Sequence, residues 1–313
     1  MQFGKIAMLF PGQGACYPGV LRDAAKSYPQ VRNTIEEIDA VSRARFGQTV
    51  ADLIWKPAVR SVEHMLADAA DVFQLAIYAI SVSTFKMLVA EGVLPDLVMG
   101  HSLGEIAALV SAGAFTVREG AEIVCDRAEA IRSAASVARI HSPYPFHSPL
   151  MEPARQRLSE SVRRFAAKPS VIPVFSPILG RYYDGRDDLT QCLAGHLTQP
   201  VRFAHAIERV YSEGVRTFIE VGALDTLTNL VAKTLPATDE IRTVAILNRS
   251  ADEVGSIRGA VSGLRGDPPA TSTTGGLDAS IPAEHSADFW REHRLIVEQF
   301  IQKQYEVYRG NAV

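Results

Sequence analysis

Ser102 sits in the middle of Gly100-His101-Ser102-Leu103-Gly104, where residue types and spacing point most directly to chemistry. A serine hydroxyl attacks a carbonyl only when a base takes its proton. A G-x-S-x-G pentad supports that attack when it joins a strand to a helix. The sharp turn then presents the serine, the glycines let neighbouring chain close in, and the helix N-terminus faces the negative charge that develops. The pattern alone also fits a helix-capping serine between turn glycines. Here DLVM precedes the pentad and EIAALVSAGAF follows Gly104, which is the strand–turn–helix context a nucleophile needs. Eight histidines could supply the base: His64, His101, His141, His147, His196, His205, His285 and His293. His64 and His205 fall in helical patterns and read as surface residues, and the side chain of His101 is expected to point away from its neighbour Ser102. His147 lies in SPYPFHSPLMEPA, whose prolines can hold a ring rigidly over a cleft. Taken alone, such a residue also fits a loop histidine at the surface.

The elements that must position these groups follow from the apolar pattern. Strand-length runs are Ile6–Phe10, Leu97–Gly100, Val171–Phe175, Thr217–Val221 and Thr243–Leu247. Helical patterns cover Ala70–Glu91, Leu103–Ala112, Val117–Ser136, Glu152–Ala167, Phe203–Gly214 and Asp225–Leu235. Their alternation predicts an α/β fold, a mainly parallel sheet covered by helices. The reading divides the chain into a core at 1–265, a Pro/Gly/Ser/Thr-rich linker at 266–285 and an amphipathic helix at 286–313.

Composition narrows the function classes. A formal charge of -3 from 32 basic and 35 acidic residues offers no electrostatic support for nucleic acid. Cys16, Cys125 and Cys192 lack the spacing of a zinc site or disulfide framework, so no metal is expected and a reducing cytoplasm is. The apolar stretch Phe73–Ala90 carries Gln74, Ser81, Ser83, Thr84 and Lys86, which favours a buried helix over a membrane span.

Further landmarks run in a fixed order. Phe10-Pro11-Gly12-Gln13-Gly14 follows the first strand, Gln74 lies in a long helix, and Glu105 closes Gly100-His101-Ser102-Leu103-Gly104-Glu105. Arg127 stands twenty-five positions after the serine, then come Pro145-Phe146-His147-Ser148-Pro149-Leu150-Met151, His196-Leu197, Pro200-Val201-Arg202-Phe203 and Glu220-Val221-Gly222. On these residues, over 5–250, the chain resembles the malonyl-CoA:acyl carrier protein transacylases and the acyltransferase domains of modular polyketide synthases.

The resemblance implies an α/β-hydrolase-like core with Ser102 at a nucleophile elbow and His147 as its base. It implies oxyanion-hole amides at Gln13 and Leu103, and an imidazole oriented by a backbone carbonyl or polar side chain, His196 being one candidate. Arg127 would bind the free carboxylate of a malonyl group, although its spacing also allows a surface pairing with Glu122 or Glu129. Phe146 matches the bulky residue of malonyl-selective domains, where it disfavours a methyl branch. The implied substrate is an acyl-CoA and the implied partner an acyl carrier protein bearing phosphopantetheine, with other synthase modules as further partners and no bound cofactor. The alternatives are a hydrolase of carrier-bound thioesters and a weakly active carrier-docking module. One feature departs from the family: Arg127 and His147 are twenty positions apart, and the connector from Val137 to Phe146 reaches at most about 35 Å. That is too short for the family's ferredoxin-like subdomain, which is therefore expected to be missing.

Overall fold

The computed structural model describes residues 4–56, 62–137 and 146–266. The linker assigned to 266–285 (apart from Gly266), the terminal helix assigned to 286–313, and His141, His285 and His293 lie outside the described residues. In chain order the elements are β1 (Lys5–Phe10), α1 (Ala24–Ser27), α2 (Pro29–Phe46), α3 (Val50–Trp55), α4 (Val62–Ala90), β2 (Leu97–Gly100), α5 (Gly104–Ser111), α6 (Val117–Val137), a 3-10 turn (Pro149–Met151) and α7 (Glu152–Val162). They continue with β3 (Val174–Ser176), β4 (Arg181–Tyr182), α8 (Leu189–Gly195), α9 (Phe203–Ser212), β5 (Val215–Ala223), α10 (Thr226–Thr234), β6 (Arg242–Leu247) and α11 (Glu253–Arg265).

The strands form one sheet in the order β4-β3-β2-β1-β5-β6. Every pairing is parallel except β3 with β4 at one edge. Strand β1 is central, with Met8 opposite Val98 on one side and Ile219 on the other. Its residues Ala7 to Phe10 and all of β2 are buried, as expected for parallel strands covered on both faces. Alternation assigns the faces. Ala7 and Leu9 join a core with Met99, Phe175, Phe203, Ile207, Phe218, Leu227 and Val231, beneath α9 and α10. Phe10 meets Phe85 of α4 on the opposite side, ring centroids 6.0 Å apart. Within α4, Ala69–Ala90 is long and apolar enough to cross a membrane, yet 89% of its most apolar window is buried against the rest of the protein.

Two expected elements shift. The strand placed at Val171–Phe175 begins only at Val174, because the Val171 amide donates to Ala112 O and Val171 itself is 83% exposed. The helix placed at Glu152–Ala167 stops at Val162, where the chain turns and the Lys168 amide donates to Ala114 O ahead of Pro169. The connector expected to replace the ferredoxin-like subdomain falls largely on 138–145, outside the described residues. Among the described residues, α6 runs to Val137 and the chain is described again from Phe146.

The order runs outward from β1 in both directions, so a crevice is expected beyond the C-terminal ends of the strands there. The loops at those ends press on one another. A Cβ at Gly104 would collide with the backbone of Phe10 and Pro11, one at Gly100 with the first turn of α5, and one at Gly222 with Pro11. A Cβ at Gly259, inside α11, would meet nothing within 4 Å beyond its own helix among the described residues. Gly104→Ala is therefore expected to destabilise the fold by about 1–3 kcal/mol through overpacking. Gly259→Ala should stabilise it by up to about 1 kcal/mol through helix propensity. Thermal unfolding of the two variants checks both signs.

Candidate active site

The elbow is built as the pentad requires. Between β2 and α5, Ser102 has φ 55, a left-handed conformation costing on the order of 1–3 kcal/mol for a side chain with a Cβ. The turn is held by His101 N donating to Phe10 O at 2.9 Å and by Gly104 N donating to His101 O at 3.0 Å. Gly12 in the first loop lies so close that a Cβ there would stand 2.6 Å from His101 O. The next residue, Gln13, and Leu103 at the start of α5 both have backbone amides without an acceptor among the described residues. The buried side chain of His101 packs its ring against Phe203, 5.6 Å away edge to face.

His147 reaches the serine from the loop after α6. Its Nε2 lies 2.8 Å from Ser102 Oγ, and its Nδ1 lies 2.8 Å from the backbone oxygen of Gln199. A carbonyl can only accept, so the neutral ring carries its proton on Nδ1 and leaves Nε2 free to accept from the serine. The His147 amide donates to Leu197 O at 2.9 Å, which anchors the backbone of this residue at φ 60. Burial pushes the imidazole down to about 4, and the positive charge of Arg127 adds to that, against the pull of the Gln199 carbonyl. The ring is thus neutral, and able to act as a base, across the physiological range.

His196, a candidate orienter of that ring, is buried nearby with its Nε2 3.0 Å from the Tyr183 hydroxyl and 3.6 Å from Glu105 Oε2. Gln199 O faces His147 Nδ1 at 2.8 Å, and the backbone of His196 also acts on the ring. Sequence reasoning missed Gln199 because any residue type supplies a carbonyl. The available signal was Pro200, which holds the preceding residue extended and keeps its carbonyl out of a helix.

Arg127 projects from α6 and is only 5% exposed. Its guanidinium donates to Gln74 Oε1 of α4 and stands with Cζ 5.4 Å from the centroid of Phe146. No carboxylate among the described residues pairs with it. The two acids that could have done so are engaged elsewhere: Glu122 lies 3.8 Å from Arg164, and Glu129 2.7 Å from Arg45. Burial lowers the guanidinium to about 10, still charged at neutral pH. An isolated buried cation is costly unless a counter-charge arrives. Arg127, Phe146, His147 and Ser102 are thus drawn together, and Gln74 joins them as a partner whose role the sequence did not specify.

Residues 7–140 match the acyl transferase domain family. A polyunsaturated fatty acid synthase polypeptide of Thraustochytrium is 28% identical over an alignment covering 78% of this chain and 11% of that protein. The malonyl CoA-acyl carrier protein transacylase of Bacillus subtilis is 24% identical, covering 77% of this chain and 93% of its own length. The crystal structure of the malonyl CoA-acyl carrier protein transacylase from Clostridium perfringens shares the fold with a TM-score of 0.71 at 20% identity, over 84% of this chain and 98% of that one. Over these stretches the chain is similar to malonyl CoA-acyl carrier protein transacylases and to parts of polyketide synthases, and it spans only a small part of the large synthase it matches.

If His147 must be neutral to activate Ser102, covalent labelling of Ser102 by a fluorophosphonate should hold steady from neutral pH downward and fall as the pH drops through about 4. Initial labelling rates across pH check this. A fall centred near 6.5 would mean that the imidazole is solvated.

Proposed function

We propose that this relative of the acyl transferase domain family moves a malonyl unit from CoA to the phosphopantetheine thiol of an acyl carrier protein, through an ester on Ser102. In the first half-reaction Ser102 Oγ attacks the thioester carbonyl while its proton passes to His147 Nε2. The oxyanion forms against the unpaired amides of Gln13 and Leu103. The carbon–sulfur bond then breaks, and the CoA thiolate takes the proton back from Nε2. In the second half-reaction the carrier thiol gives its proton to Nε2 and attacks the ester, and Ser102 leaves and is reprotonated. The observation that carries this reading is the 2.8 Å contact of Nε2 with Oγ, on a ring whose other nitrogen is committed to Gln199 O.

Arg127 supports the choice of acyl group. A malonyl thioester ends in a carboxylate, which a guanidinium fork can bind bidentately. That contact would supply the counter-charge Arg127 lacks and orient the thioester toward Ser102. Phe146, against the same guanidinium, would restrict a branch at the carbon between the two carbonyls. Thioester hydrolysis on the same scaffold has no need of a buried carboxylate clamp, so Arg127 favours transfer. The setting we infer is fatty acid or polyketide synthesis in the cytoplasm, with the carrier and any companion synthase modules as partners.

Intact-protein mass after mixing with malonyl-CoA tests the core of the proposal. A malonyl adduct is expected on the wild type and absent from Ser102→Ala; an adduct that survives the substitution refutes the acyl-serine. Arg127→Met should lower kcat/KM for malonyl-CoA by about 10²-fold or more, corresponding to ~3 kcal/mol for an unpaired buried charge, while leaving acetyl-CoA turnover nearly unchanged. The same variant should raise the melting temperature of the ligand-free protein, because it removes a desolvated cation with no counter-charge among the described residues.

A further inference from the structure

Behind the elbow lies a group of buried polar side chains to which the acyl-transfer steps assign nothing. Glu105 and Ser176 are fully buried and His196 is nearly so. Tyr183 Oη donates to Glu105 Oε1 at 2.8 Å and lies 3.0 Å from His196 Nε2. With the phenol proton committed to Glu105, the phenol oxygen can only accept, so His196 carries its proton on Nε2. Ser176, at the end of β3, accepts from the Leu179 amide at 3.1 Å, and Glu105 Oε2 is buried with no hydrogen-bond partner among the described residues. Among the described residues no arginine or lysine forms an ion pair with Glu105. Apolar side chains of equal volume would pack there at less cost, so its role is more specific than filling space.

The covalent connections of its members indicate what it holds. Glu105 occupies the first turn of α5, three residues after Ser102, and its amide donates to Ser102 O at 3.0 Å. His196 opens the turn after α8, whose next residues supply the two carbonyls that fix His147: Leu197 O to the backbone amide and Gln199 O to Nδ1. Tyr183, just past β4, ties these two regions together and is itself held by its amide donating to Val174 O at 3.0 Å. The element that carries Ser102 and the turn that aims His147 are therefore joined side chain to side chain beneath the site.

We propose that Glu105, Tyr183 and His196 are positioning residues, a buried brace that sets the distance between Ser102 and His147 and holds the Gln199 carbonyl on Nδ1. This rests on the reading of Ser102 and His147 as nucleophile and base. Loss of a hydrogen bond in the brace lets the 196–199 turn drift, and a displacement of a fraction of an ångström at a reacting pair is felt directly in rate.

The test uses Tyr183→Phe, which removes one oxygen atom, and His196→Gln as a second variant should the first fail to fold. Two readouts are taken: the single-turnover rate and KM of Ser102 malonylation, and the nitrogen NMR shifts of the His147 ring, which report its tautomer without any turnover. Expected are an acylation rate about tenfold lower at unchanged KM, and His147 shifts moving from a single Nδ1–H tautomer toward a mixture. Glu105→Gln, which keeps the acceptor for Tyr183, should retain at least a third of the wild-type rate, whereas Glu105→Leu should match Tyr183→Phe. The double variant Tyr183→Phe/His196→Gln should be no slower than the slower single one, since both break the same brace. The proposal is overturned if folded Tyr183→Phe acylates within twofold of wild type, if the tautomer stays unmixed, or if the two losses multiply. A wild-type protein that never forms the ester would sink the acyl-transfer reading instead, while the His147 shifts would still decide whether the brace aims the ring.

Discussion

The bond from His147 Nδ1 to the Gln199 carbonyl is the constraint on which the rest of the site depends. An imidazole has two nitrogens and, when neutral, one proton, and either tautomer costs about the same in water. A fixed carbonyl removes the choice. It places the proton on Nδ1, turns the ring about its long axis, and leaves Nε2 as an acceptor 2.8 Å from Ser102 Oγ. Burial then keeps the ring neutral by raising the cost of the imidazolium. A second carbonyl, Leu197 O, holds the backbone of the same residue, so two neighbouring parts of one turn define both where the imidazole is and which way it faces.

Around that bond the chain tolerates conformations that a scaffold free of function would avoid. Ser102 and His147 both have left-handed backbones, and Arg127 is buried with no carboxylate partner among the described residues. Such features persist only where the surroundings over-determine them. Here the surroundings are the close contacts of the Gly12, Gly100 and Gly104 backbones with neighbouring chain, and the buried strands β1 and β2 beneath them. The sheet therefore acts as a rigid anvil for a strained turn.

Much of this is legible in the amino-acid order, for reasons that differ from part to part. The elbow is local: strand, turn and helix follow one another within about fifteen residues, so periodicity and two glycines reveal it. Strands β1, β2, β5 and β6 read clearly because both faces are apolar. Strand β3 starts later than its pattern suggests because Val171 and Ile172 look like strand residues, while the Val171 amide is captured by Ala112 O. Strand β4, two residues long, leaves no pattern to read. His147 and Arg127 depend on contacts across long stretches of sequence, and no spacing rule finds them; the ordered family landmarks do. Gln199 acts through its main chain and Tyr183 through a tertiary contact, so neither announces itself by type. Among the short helices, α3 and α8 carry the capping residues Thr49 and Asp188, types that are common in loops as well, and α1 has no side-chain cap.

The buried charge on Arg127 has a thermodynamic consequence for the whole molecule. A ligand that neutralises it binds the folded chain and has no comparable site on the unfolded one, so occupancy adds RT ln(1 + [L]/Kd) to the folding free energy. On the acyl-transfer reading, resistance to heat and proteolysis would then rise and fall with the supply of dicarboxylic thioester. A cell short of that metabolite would hold the same polypeptide in a less durable form.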